Sequence, residues 1–270
     1  MKTTAVAPTP PASGFRPRGT FKAADLVWTL IRTDFKTRYH GTYVGFLWAL
    51  LKPLVLVLVL MGVFSFVFGD RPSYAAYLVT GLLLYDFFTD ATKAGLNSLL
   101  SKSFLLTKTV APSWIIVVTS LSNAVITVVT VWAVFLTVLA VTGHGPSPMA
   151  FALMLVYGLH FVVMVVGISL ALSVLFLVYR DLNEIWDLVT HAGFFFAPII
   201  YPIDIMPERL HFWLYLWPPT PIIQFTREVL VNGNVPSLKA HLLLSGETAA
   251  VFLIGLAIFN RYRSRIAEYV

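Results

Sequence analysis

Apolar residues in this chain gather into long runs, separated by short breaks rich in glycine, proline and charge. A helix needs roughly twenty such residues to cross a hydrocarbon core of about 30 Å. Six runs approach that length: Tyr43–Gly69, Tyr74–Lys93, Ser113–Thr142, Met149–Val178, Ile185–Tyr201 and Ala240–Asn260. The breaks "DRPS" and "GHGPSP" after the first and third runs are turn chemistry with no room for a domain, so each joins two helices into a hairpin. Residues 21–42 mix Leu26, Val27, Leu30, Ile31 and Phe35 with charges at a period near 3.6, the pattern of an amphipathic helix lying in a membrane interface. Between the fifth and sixth runs, Leu210–Trp217 and Ile222–Val231 are apolar but too short to cross. Separated by Pro218, Pro219 and Pro221, they read as re-entrant half-helices, with Trp213, Tyr215 and Trp217 suited to headgroup level. The pattern predicts an all-α polytopic membrane protein: six transmembrane helices, an N-terminal interface helix and two short re-entrant helices between spans five and six.

Composition agrees with that pattern. Of 270 residues, 58% are hydrophobic and only 12% charged, about half the share of a soluble domain. The absence of cysteine excludes disulfides, thiolate metal sites and cysteine nucleophiles. The net charge of +6 does not point to nucleic acid, because the basic residues flank the apolar runs. Lys2, Arg16, Arg18, Lys22, Arg32, Lys36, Arg38, Lys102, Lys108, Arg180, Arg261, Arg263 and Arg265 all fall on one side of a six-span arrangement. Only Arg71, Arg209, Arg227 and Lys239 fall on the other. The positive-inside rule then places both termini in the cytoplasm and the chain, multi-pass, in the cytoplasmic (inner) membrane. Residues 1–20 are Pro-rich without an apolar core and read as a disordered cytoplasmic tail rather than a signal peptide.

Three polar or aromatic stripes cross these spans. Gly41, Gly45, Trp48 and Lys52 share one helix face, where the glycine pair allows close packing and Lys52 can snorkel to the cytoplasmic interface; Pro53 should kink the helix beside them. Asp86, Asp90, Lys93 and Asn97 repeat the same spacing in span two. Charges at such depth face protein or water, so this stripe is a conduit wall, a subunit contact, or an internally satisfied Asp–Lys pair. In span five, Glu184, Asp187, His191, Phe195 and Pro198 form a face that passes from acidic to aromatic, flanked by Phe194, Phe196 and Tyr201. Such a wall would let sugar rings slide on their C–H surfaces; ordinary helix packing is the competing explanation.

Motifs for phosphate loops, nucleophile elbows and zinc proteases do not occur in the sequence. The chain itself is therefore not expected to be an ATPase, and a partner or an ion must drive any uphill transport. An ion-coupled transporter relaying protons through Asp86, Asp90 and Lys93 is one alternative, although the spans show no evident internal repeat. A membrane enzyme using Asp187 and His191 as acid and base is another, without an accompanying nucleophile or metal set.

Four segments carry a family resemblance. "RYHGTYVGFLWALLKP" resembles the RY-x-x-S/T-x-L-G-x-x-W-x-x-L-x-P signature of ABC-2 type permeases that export polysaccharides. "VYRDLNEIW" is similar to their cytoplasmic F-R-D segment, "FFFAPIIYP" to their aromatic-S/A-P-I run, and "LWPPTPIIQFTREVLVNG" to their N-P segment with its arginine helix. The matches occur in family order, although Val44 stands where leucine is common and Trp217-Pro218 where N-P is usual. The resemblance implies that residues 21–270 are one ABC-2 type transmembrane domain. It further implies a homodimer joined to two copies of an ABC ATP-binding subunit that holds ATP and Mg, with no cofactor on this chain. It makes Trp48, Asp86, Asp90, His191, Phe194, Phe195, Phe196 and Tyr201 channel-lining, and Phe104, Lys108, Arg180, Asp181 and Glu184 ATPase-contacting. Trp213, Tyr215 and Trp217 would form a periplasmic gate. The implied cargo is a glycan on an undecaprenyl diphosphate carrier, of O-antigen or wall teichoic acid type. Lys36, Arg38 and Lys52 would meet its pyrophosphate or lipid headgroups. A drug or lipid exporter of the same family is the nearest alternative.

Overall fold

The computed structural model describes residues 23–39, 47–68, 74–108 and 112–266, and every regular element among them is helical. The tail 1–20, the Gly41–Gly45 pair and the "DRPS" turn lie outside the described residues. In chain order the helices are α1 (Ala23–Tyr39), α2 (Leu47–Phe68), α3 (Tyr74–Ser101), α4 (Ser103–Lys108), α5 (Ser113–Ser120), α6 (Ser122–Val141), α7 (Pro148–Val178), α8 (Leu182–Phe196), α9 (Glu208–Tyr215), α10 (Pro219–Leu230) and α11 (Leu238–Tyr262). Three helical stretches among the described residues are long and apolar enough to cross a membrane: Ser113–Val141, Pro148–Val178 and Leu238–Tyr262. The first joins α5 and α6 through Leu121, whose N–H bonds the Val118 carbonyl at 3.2 Å. In α2, the stretch Leu51–Phe64 is apolar, and the helix continues through Pro53.

Two boundaries differ from the sequence pattern. α3 runs two turns past Lys93, because charges on its surface do not interrupt its backbone hydrogen bonds. α8 stops at Phe196, short of the expected Tyr201, and its 15 residues reach only about 22 Å. Pro198 disfavours helical geometry in the residue before it, and Ala197 is accordingly extended at φ −66°, ψ 135°. α7 and α11 instead start sharply: Pro148 occupies the first turn of α7, and the Ser147 and Ser237 hydroxyls accept from the Ala150 and Ala240 N–H groups.

α7 sits at the centre, between α3 and α11. Small residues set both crossings: Gly95 of α3 packs on Ser169, and Gly255 of α11 lies on the backbone of Gly167. All three helices run the same way. Leu99, Leu177, Phe259 and Ile266 share one cluster at their C-terminal end, while Tyr157 bonds His241 at 2.9 Å near the other. The loops that follow α3, α7 and α11 thus leave from one end of the bundle. α1 is tied to that end, because the Lys102 ammonium pairs with Asp34 and donates to Ser120 Oγ at 2.8 Å. The basic segments flanking these helices gather there. Leu58, Val63, Phe66, Val129, Val138, Leu253 and Ile254 stand on outward faces, an arrangement that suits lipid rather than water.

Candidate functional site: a charge seam and a braced helix break

The second and fifth polar stripes meet. Lys93 Nζ of α3 lies 2.5 Å from Asp187 Oδ2 of α8 and donates to the Asn183 carbonyl at 3.3 Å. The partner of Lys93 is therefore across the helix interface, not within its own stripe. Asp86 lies about two turns away on α3, with Lys52 of α2 and Asp90 as its charged neighbours. Lys52, Asp86, Asp90, Lys93 and Asp187 make a seam of mixed sign across α2, α3 and α8. A cation inside an apolar run is thereby explained, since Lys52 offsets carboxylates that apolar surroundings would otherwise penalise.

Beyond this seam α8 is aromatic. Phe194 is half-buried and meets Tyr85 edge-on at 5.5 Å, whereas Phe195 and Phe196 project outward, Phe195 with 71% of its surface exposed. His191 is also exposed, its ring bonded to the Asp187 carbonyl at 2.7 Å. Tyr201 folds back, its hydroxyl donating to the Phe196 carbonyl at 2.9 Å and so satisfying the end of α8. Trp48 is exposed, as is Lys52. Their face is thus open in the single chain rather than packed on another of its helices, as the glycine spacing had implied.

The break after α8 is braced by Arg227, which the sequence places on the outer side and in the arginine helix of the family segment. Its side chain is 1% exposed. Nη1 donates to the Pro198 carbonyl at 2.5 Å, Nη2 to Ile199 at 2.6 Å and Nε to Tyr77 at 3.0 Å, and the guanidinium lies 3.4 Å from the centre of the Tyr77 ring. An extended segment at membrane depth strands its carbonyls, and a planar fork of donors is suited to collecting them. The signal was present in the sequence: a lone arginine inside the apolar run Ile222–Val231, following three prolines. Gly81 makes the room, since a Cβ there would strike the guanidinium.

Of the three gate candidates, Trp213 is exposed and Tyr215 half-buried. Trp217 is half-buried and packs inward. Its indole packs against the core, edge-on to Phe88 at 5.6 Å and against Gly193, where a Cβ would strike the indole ring and meet the Tyr85 hydroxyl at 2.8 Å. At the opposite end, Phe104 of α4 is exposed, as are Arg180 and Asp181 in the turn between α7 and α8 and Glu184 in the first turn of α8. Arg180 reaches back over Phe176, 5.8 Å from its ring centre. Both loops leave from the end of the bundle that holds α1. Lys36 is exposed on α1; the side chains of Arg38 and Lys108 lie outside the described residues.

Known proteins share this sequence pattern over nearly its full length. O-antigen export system permease protein RfbA of Klebsiella pneumoniae is 28% identical over 90% of this chain and 94% of its own length. The protein of the same description from Myxococcus xanthus is 24% identical over 94% of this chain and 98% of its own. Polysialic acid transport protein KpsM of Escherichia coli is 22% identical over 87% of this chain and 92% of its own. The model of the ABC-2 type transporter family matches residues 25–231, which include the charge seam, the helix break and Arg227. The chain belongs to the ABC-2 type transporter family.

Proposed function

We propose that this chain is the membrane subunit of an ATP-driven exporter that carries a lipid-linked polysaccharide of O-antigen type across the cytoplasmic membrane. The observation that carries this reading is the end-to-end similarity to permeases described as O-antigen and polysialic acid exporters. ATP is hydrolysed on a separate ABC subunit, because this sequence holds no phosphate loop. Two copies of the chain enclose the channel, with the open faces of α2 and α8 turned toward it. The exposed Phe195 and Phe196 then offer sugar rings an apolar surface without strong binding. The ion-coupled alternative needs Lys93 to exchange protons freely, and its 2.5 Å pairing with Asp187 argues against that.

Affinity purification from the native membrane tests the assembly. Recovery of an ABC ATPase at equal stoichiometry, with vanadate-sensitive turnover, is the expected result. Recovery of this chain alone from membranes that retain other ABC complexes would refute it. Two further outcomes are specific to residues. Charge reversal at Lys93 or Asp187 alone should reduce surface glycan about tenfold, and the exchange Lys93→Asp with Asp187→Lys should restore most of it. Both side chains are partly exposed, at 31% and 42%, so the readout is export rather than folding. The triple variant Lys36→Ala, Arg38→Ala, Lys52→Ala should assemble yet export poorly, if these cations meet the pyrophosphate; unchanged export would remove them from that role.

A further inference from the structure

A cavity of ≈ 310 Å³ opens at the end of the bundle opposite α1, between the start of α3, the Pro202–Asp204 turn and α10. Arg227 closes its floor, but that guanidinium already donates through all three nitrogens to backbone carbonyls. Tyr74, Tyr77, Asp204, Gln224 and Glu228 line the walls. The two tyrosine rings lie nearly parallel, 16° apart with centres at 6.4 Å, and their hydroxyls are tied to the Ile200 and Tyr201 carbonyls at 3.0 and 3.2 Å. The Glu228 carboxylate is likewise held in place. One oxygen accepts from Asn232 Nδ2 at 2.7 Å and the other from Asn234 Nδ2 at 2.8 Å. An ionised carboxylate has about four acceptor sites, so each oxygen retains capacity after these bonds.

We propose that this cavity is a subsite for one neutral pyranose unit. A sugar ring presents hydroxyl donors for a pre-oriented carboxylate, a mixed donor and acceptor pattern for Gln224, and apolar C–H faces for tyrosine edges. The volume stands at the lower end of small-ligand sites, about 300–1,000 Å³, which suits a single sugar rather than a stretch of polymer. The pre-oriented Glu228 carboxylate in the wall makes it unfavourable for an acidic sugar, since the Arg227 guanidinium beneath is held against three backbone carbonyls. A divalent cation is disfavoured by composition, because the described residues contain no grouping of three or more His, Asp or Glu able to hold one. The role of the subsite rests on the export reading: placed on the exit side, it would engage the leading sugar as it leaves and favour neutral over acidic polymers. Its binding chemistry stands apart from that reading.

The test uses the full chain in lipid nanodiscs, with methyl glycosides of glucose, mannose and galactose and with N-acetylneuraminic acid as probes, read by saturation-transfer NMR. At least one neutral glycoside is expected to give transfer that falls about tenfold in Glu228→Gln, the loss of a charge-assisted hydrogen bond. N-acetylneuraminic acid should give none with the wild-type chain and gain signal in Glu228→Gln, which merely structural damage would not produce. Absence of transfer from every neutral glycoside to the monodisperse wild-type chain would overturn the proposal. So would equal transfer in the variant, or saturable calcium binding that Glu228→Gln abolishes. A parallel deletion strain separates the two readings: retained surface glycan there refutes export by this chain, whereas failed sugar binding beside lost glycan refutes only the subsite.

Discussion

Replacing Arg227 with alanine is expected to collapse the yield of folded protein by an order of magnitude or more. The substitution leaves the buried Pro198 and Ile199 carbonyls without their guanidinium donors and removes a part-buried bond to the Tyr77 carbonyl, which also serves the α3 ladder. Each buried polar group stripped of its partner costs about 1–3 kcal/mol, so the two together amount to roughly 4 kcal/mol. That is a large part of the whole stability of many domains, about 5–15 kcal/mol. Gln224 relieves little, since its Nε2 stands 3.5 Å from the Pro198 carbonyl. Arg227→Lys should fall between wild type and alanine. It keeps the charge, but an ammonium cannot span three acceptors in one plane or stack on Tyr77 as the fork does. Fluorescence-detected size exclusion of detergent extracts measures all three proteins together. Equal monodisperse peaks for wild type and Arg227→Ala would show that the break is held by other contacts.

The second large effect is expected at the crossing of α7 and α11. A Cβ on Gly255 would lie 2.5 Å from the carbonyl carbon of Gly167 and 2.9 Å from its Cα, and both are backbone atoms that cannot swing aside. Even Gly255→Ala must push the helices apart, and Gly255→Leu further. Overpacking of a well-filled site costs about 1–3 kcal/mol, and a backbone-to-backbone clash falls at or beyond the top of that range. Gly158→Ala on α7 is the internal control, because nothing lies within 4 Å of its added Cβ. Helix propensity favours alanine there by about 1 kcal/mol. Thermal unfolding in detergent should therefore show a large downward shift for Gly255→Leu and no loss for Gly158→Ala. Similar midpoints for both would mean that this crossing is not tightly packed in the membrane.

Much of the architecture was legible beforehand. The run Met149–Val178 became α7 within a residue, and Ala240–Asn260 became α11 within two, since twenty or more apolar residues bounded by turn formers admit few other structures. The serine caps and Pro148 reinforced those starts. α8 ends before the fifth run does because hydropathy counts Ile199 and Ile200 as membrane residues, whereas the proline between Ala197 and Ile199 decides backbone geometry regardless of polarity. α3 outlasts the second run for the opposite reason: hydropathy ends a span where charge begins, whereas the backbone hydrogen bonds of the helix continue past it.

The site divides along the same line. Spacing placed Asp86, Asp90 and Lys93 on one face of α3, and Glu184, Asp187 and His191 on one face of α8, because helical period is a local property. That Lys93 selects Asp187 rather than Asp90 is a matter of how α3 and α8 lie against each other, and no spacing within one helix encodes that. Trp217 shows the same limit of local rules. Its amphipathic ring suits an interface, yet Gly193 and Phe88, contributed by other helices, open a slot that draws it against the core. The sequence by itself determined the all-helical class of the molecule and its long apolar helices, because burial of apolar runs and capping act over a few turns. Only the tertiary structure decided the pairing of Lys93, the bracing of the α8 break by Arg227 and the outer cavity, because each joins groups from separate helices whose relative placement is set by packing.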